Sequence, residues 1–180
     1  MDYFEATIRR LLEEEGYWTK QSFKVELTKE EKRQIGKPSI PRPEIDLIAY
    51  KPGENEVLAL EVKSLLDSRG VKLDDLMKYS DLPQGRYKLF TCEKYRETVF
   101  KRLTKQMISI GLLQKECPVR LGLAAGNVRS GTEVSMERYF TEKGMFYWGP
   151  NEIRNRVGLL SSKGYENDPT VLAAKILSRA

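Results

Sequence analysis

The sequence contains no histidine. That absence removes Ser-His and Cys-His hydrolytic triads, histidine-ligated zinc and any proton relay run by imidazole near neutral pH. Cysteine is scarce as well. Cys92 and Cys117 fit no metal-ligand spacing and read as reduced thiols. No run of about 18 apolar residues occurs, so a membrane span is not expected. The first five residues, Met1 to Glu5, lack the basic and apolar regions of a signal peptide, which gives a cytoplasmic expectation. Internal repeats and low-complexity tracts are missing too. Any catalysis must therefore run on carboxylates, lysine, tyrosine or a bound metal.

What is present is an ordinary, charge-rich globular composition. The chain has 180 residues, 40% of them hydrophobic and 32% charged, enough for one domain with a C-terminal appendage. The net charge of +5 agrees with a polyanionic partner without requiring one.

Residues 43–64 organise the chain. They read as two strands joined by a turn at Lys51-Pro52-Gly53-Glu54-Asn55. Side chains two apart share a strand face. Glu44, Asp46, Ile48 and Tyr50 should lie on one face of the first strand; Val57, Ala59, Glu61 and Lys63 on one face of the second. A suitable register brings Asp46, Glu61 and Lys63 to one end of the hairpin. Ionised groups beside an apolar core need pairing or a metal, and a hard divalent cation takes carboxylate, water and phosphate oxygens. The plainer reading is an amphipathic strand with a solvated Glu and Lys. The upstream Pro43, the 15-residue step from Asp46 to Glu61 and the apolar run into Glu61 weigh against it.

Pro43-Glu44-Ile45-Asp46 followed by Glu61-Val62-Lys63 resembles the signature of the PD-(D/E)xK nuclease superfamily. The resemblance implies an α/β restriction-endonuclease-like core of order αβββαβ, a mixed central sheet flanked by helices. That core would cover residues 1–126, with a helical C-terminal extension over 127–180 packed on it. It also implies a Mg²⁺ site, with Mn²⁺ able to substitute, ligated by Asp46, Glu61 and the Val62 carbonyl. Lys63 would orient or deprotonate the attacking water. Archaeal Holliday-junction resolvases carry a first-helix Glu in the metal site, and Glu5 matches that position. The alternative for Glu5 is a first-turn acid favoured by the helix dipole.

The first helix is expected over 2–15, capped by Asp2, with Phe4, Ile8, Leu11 and Leu12 as its buried stripe. A strand over 17–28 should turn Tyr17, Thr19, Gln21, Phe23, Val25 and Leu27 to one side. Residues 29–42 read as a long basic loop. Lys32, Arg33, Lys37 and Arg42 make it either a phosphate-contacting flap or a solvated loop. A short helix follows with Leu73, Leu76 and Met77 on its apolar side, and Lys72 beside it is a further phosphate-binding candidate. Residues 86–90 read as a short strand. A long helix over 93–113 carries the stripe Val99, Leu103, Met107, Ile110, Leu113, and a doubly buried strand covers 118–126. The aromatic run Met145-Phe146-Tyr147-Trp148 reads as a small satellite core or a base-stacking surface, followed by two Pro-initiated helices.

These readings favour a Mg²⁺-dependent endonuclease acting on DNA; two strands to cut would favour a homodimer. A non-cleaving nucleic-acid-binding or assembly module on the same fold is the alternative. A structural domain with a merely buried Asp46–Lys63 pair ranks third.

Overall fold

The computed structural model describes residues 2–179. They form an α/β fold in which one mixed sheet of order β1-β2-β3-β4-β5 is flanked by helices. β1 (Trp18–Lys24), β2 (Glu44–Lys51) and β3 (Glu56–Lys63) run as an antiparallel meander. β4 (Val119–Ala125) lies parallel to β3, and β5 (Phe146–Trp148) parallel to β4. Parallel neighbours need a crossover. The helix α5 (Glu93–Ser109) supplies the first and α6 (Glu133–Glu142) the second.

The sheet separates two apolar layers. On one side α1 (Tyr3–Glu14) presents Ile8, Leu11 and Leu12 to Leu47, Ala49, Leu58 and Leu60, joined by Ile153 of α7 (Pro150–Leu159) and Val171 of α8 (Pro169–Leu177). On the other, Tyr95, Val99, Leu103 and Met107 of α5 meet Ile48, Val57 and Ala59. α3 (Leu73–Met77) and α4 (Lys88–Thr91) cover the same face with Leu76, Leu89 and Phe90. Asp2 caps α1 by accepting from the Phe4 and Glu5 amides, as its position predicts. Among the described residues no helix is long and apolar enough to cross a membrane.

Several elements depart from the sequence reading. Residues 29–42 do not form a continuous loop. Lys29–Gln34 is a helix, α2, closed by a capping box between Thr28 and Glu31. Its Glu31 also receives the Arg102 guanidinium of α5 at 2.8 to 3.1 Å, so this segment is pinned rather than a free flap. Residues 88–91 are the helical turn α4 where a strand was expected, and Met77 is exposed while Leu76 is buried. The long helix stops at Ser109. Gly111 takes φ +76° and the Leu112 amide bonds back to the Met107 carbonyl, a left-handed stop that turns Ile110 out to solvent. The aromatic segment is no satellite. Phe146–Trp148 is a strand of the sheet, Tyr147 stacks on Phe140 in the α5-side core, and Trp148 belongs to the α1-side core. Residues 146–148 of the C-terminal segment thus complete the same sheet as β1 to β4. Trp18, on the opposite side of β1 from Thr19, is exposed.

The faces of β1 and β2 also break their alternation. Strict alternation would group Ile45 with Leu47 and Phe23 with Tyr17. Instead Ile45 and Phe23 pack into the α5-side core, while Leu47 and Tyr17 pack into the α1-side core. Both strands turn over at the row formed by Ser22 and Asp46. Ser22 has φ +50° and is left out of the ladder, although Gln21↔Leu47 and Phe23↔Ile45 pair on either side of it.

Candidate functional site

The pairing of β2 with β3 runs from Lys51↔Glu56 to Leu47↔Leu60 and ends there. One residue further on, the strands part. The Asp46 carboxylate fills the gap: its Oδ2 accepts the Val62 amide at 2.8 Å, where a backbone carbonyl of β2 would otherwise sit. The same oxygen accepts Lys63 Nζ at 2.7 Å. Lys63 Nζ also lies 2.9 Å from Glu61 Oε2. The expected convergence of Asp46, Glu61 and Lys63 is therefore present, with the ammonium held between two carboxylates.

Glu61 is 8% exposed. Burial pushes its carboxyl up from the ordinary range, Lys63 opposes this, and Asp46 adds to it. Burial works to lower the Lys63 pKa, but the Glu61 and Asp46 charges together outweigh it and raise the ammonium above its usual value. Glu5, in the first turn of α1, joins from the other side. Burial and then the nearby Asp46 charge raise its pKa, while a hydrogen bond with Gln21 lowers it. The site thus holds three carboxylates against Lys63, an excess of negative charge.

The oxygen-only donor set suits a hard cation. Asp46 and Glu61 bracket one cation-sized position, taken by the Lys63 ammonium. Among the described residues no group of three or more His, Cys, Asp or Glu side chains is arranged closely enough to hold a metal ion. Glu5 is a neighbour, not a third arm of that pair. Val62 lies beyond the last ladder pair, so its carbonyl is not committed to β2 by the ladder.

Three residues around this group carried no signal in the sequence. Lys88 of α4 lowers the Glu61 pKa and sits 5.9 Å above the Tyr95 ring. The Tyr95 phenol is driven up by burial and then by the Glu61 charge. Burial raises the Tyr87 phenol, and Arg86 and Lys63 oppose this. All three reach the site by packing of α4 and α5 on the sheet, a relation that periodicity does not encode.

The candidate phosphate-binding residues separate. Lys32 and Arg33 lie on α2, Lys37 just beyond it, and Arg42 is paired with Glu26 at 2.8 Å. Lys72 stands elsewhere, at the start of α3, in a cleft of about 860 Å³ that also takes in Leu65, two residues past Lys63.

No family model matches this chain, and no curated protein does. One solved structure, a protein of unknown function designated AF1548, aligns over 97% of this chain and 67% of its own, with 17% identity and a TM-score of 0.38. A likeness of that degree carries no argument about fold family or activity.

Proposed function

We propose that this protein is a divalent-metal-dependent nuclease that hydrolyses DNA phosphodiester bonds on a restriction-endonuclease-like core. The observation that supports it is the opening of the β2–β3 ladder at Asp46. There two carboxylates and a lysine converge on one position beside a concave surface. In this reading Asp46, Glu61 and the Val62 carbonyl hold Mg²⁺ or Mn²⁺, and Glu5 completes the negative field around it. The bound cation supplies Lewis-acid stabilisation of charge on the phosphoryl group. Lys63 then turns from the two carboxylates toward the attacking water, which it orients and whose developing charge it stabilises.

The test is a cleavage panel over linear, circular, branched and single-stranded DNA, with RNA alongside, in Mg²⁺ and in Mn²⁺. Lys63→Ala and Asp46→Asn should reduce cleavage by at least about a hundredfold, while their circular dichroism matches the parent protein. Undiminished cleavage in either variant would falsify the assignment. A non-cleaving nucleic-acid-binding module is the second reading; the excess of carboxylates at the site argues against it, since a binding surface for phosphate has no use for them.

A further inference from the structure

The cleft beside the carboxylate–lysine group is lined by four cations, Arg69, Lys72, Lys78 and Arg86, and by one acid, Asp75. None of the four forms an ion pair within 4.0 Å with a carboxylate among the described residues. What sets these four apart is that they share one concavity with a single acid. Unpaired positive charges gathered in a concavity repel one another and focus a positive field into it, so they are retained where an anion enters.

The cleft is preformed. Leu65 takes φ +46°, and the Asn127 amide holds the carbonyls of Leu65 and Ser68 at 3.3 and 2.8 Å. Val71 is bridged to 127–129 by two backbone bonds. Gly70, at φ +72°, lies so close to Val128 that a Cβ would fall 2.6 Å from its backbone. The opposite wall is tied by the Ser80 amide donating to the Thr91 carbonyl at 2.9 Å. Buried Tyr87 lines the cleft, and Leu65 of its wall stands two residues along the chain from Lys63. Lys78, exposed, and Ser80 form its rim.

We propose that this cleft holds the sugar–phosphate backbone of one nucleic-acid strand running on from the Asp46–Lys63–Glu61 group. The preferred substrate is then a strand end or single-stranded tail, not uninterrupted duplex. A volume of about 860 Å³ lies in the range of pockets that take a small ligand, so the open cleft accommodates a few nucleotides of one strand. Phosphates meet the four cations, as in the positively charged grooves along which single-strand binders track a backbone. The direction of the strand rests on the nuclease reading; the binding itself does not.

The test measures binding without metal, in chelator, by fluorescence anisotropy of a labelled single strand, a tailed duplex and a blunt duplex, each as DNA and as RNA. The full-length chain should bind the strand and the tailed duplex several-fold more tightly than the blunt one. In Arg69→Ala/Arg86→Ala the slope of log K against log salt should fall by about 1.4, two contacts at about 0.7 each. Lys78→Glu on the exposed rim gives a second reading if the double variant melts early. Lys105→Ala/Lys115→Ala, at two exposed lysines outside the cleft, should leave strand binding unchanged. Equal affinity for blunt and tailed duplex, an unchanged salt slope in both cleft variants, or no binding at all overturns the proposal. Cleft-dependent binding by a chain that cleaves nothing upholds the strand groove and removes the hydrolytic reading.

Discussion

Two of the part-buried charge groups on this fold are built in opposite ways. Glu31 and Arg102 join α2 to α5 as one acid and one base, their side chains 17% and 24% exposed. Every Glu31 oxygen is used: the guanidinium forks onto both, and one also accepts the Thr28 amide of the capping box. Burial alone would raise its pKa, but the Arg102 hydrogen bonds and charge overcome this and lower it. Asp46, Glu61 and Lys63 are as sheltered, with side chains 21%, 11% and 19% exposed. Yet they hold two acids to one base, with Glu5 adding to the excess, and burial of Glu61 prevails so that its pKa rises. A balanced pair ties two helices together. An unbalanced group leaves negative charge that only a further cation neutralises.

Neutralising one member of each group separates the two. Arg102→Ala leaves Glu31 sheltered and without its fork, and should destabilise the fold by about 1.5–3 kcal/mol in urea denaturation. Asp46→Asn keeps an oxygen for the Val62 amide and relieves the carboxylate excess, so its stability should stay within about 1 kcal/mol of the parent. If Asp46→Asn loses as much as Arg102→Ala, the site is a structural ion pair after all.

Acid titration sharpens the contrast. With the folded pKa of Glu31 below its ordinary 4.5, the unfolded chain binds more protons in that window. Stability contributed by Glu31 is therefore present above about pH 4.5 and lost as pH falls through the folded value. Glu31→Gln should flatten this acid limb of the melting-temperature profile relative to the parent. An unaltered limb would show that the Arg102 fork does not hold the carboxylate ionised.

The smallest effect concerns backbone strain, which accompanies only the unbalanced group. Ser22 occupies the left-handed region in the row of Asp46. Ser22→Gly should relieve it and raise stability by at most about 1 kcal/mol, net of the added chain entropy. A clear loss of stability would mean that the Ser22 side chain itself supports the strand crossing.

Much of the architecture was legible in residue patterns. The α1 stripe with its Asp2 cap, the 43–64 hairpin, the doubly buried β4 and the Pro-started α7 and α8 follow from periodicity and capping chemistry alone. The α2 helix was legible too, since Thr28 and Glu31 have capping-box spacing, but the density of charge in 29–42 masked it. β5 is three residues long, too short to distinguish from an aromatic cluster. Residues 86–90 and the run past Ser109 failed for a related reason: one turn of helix, or one left-handed residue, leaves no period to count.

The sequence by itself determined that chemistry here could not use imidazole, and that Asp46, Glu61 and Lys63 would lie within reach across one hairpin, because strand alternation and a short turn are local properties. Only the tertiary structure decided that the ladder opens at Asp46, that Ser22 and Asp46 turn both strands over, and that Lys88, Tyr87 and the basic cleft gather round the opening. Those relations depend on how α1, α4 and α5 press against the two faces of the sheet, and packing between distant segments has no period along the chain.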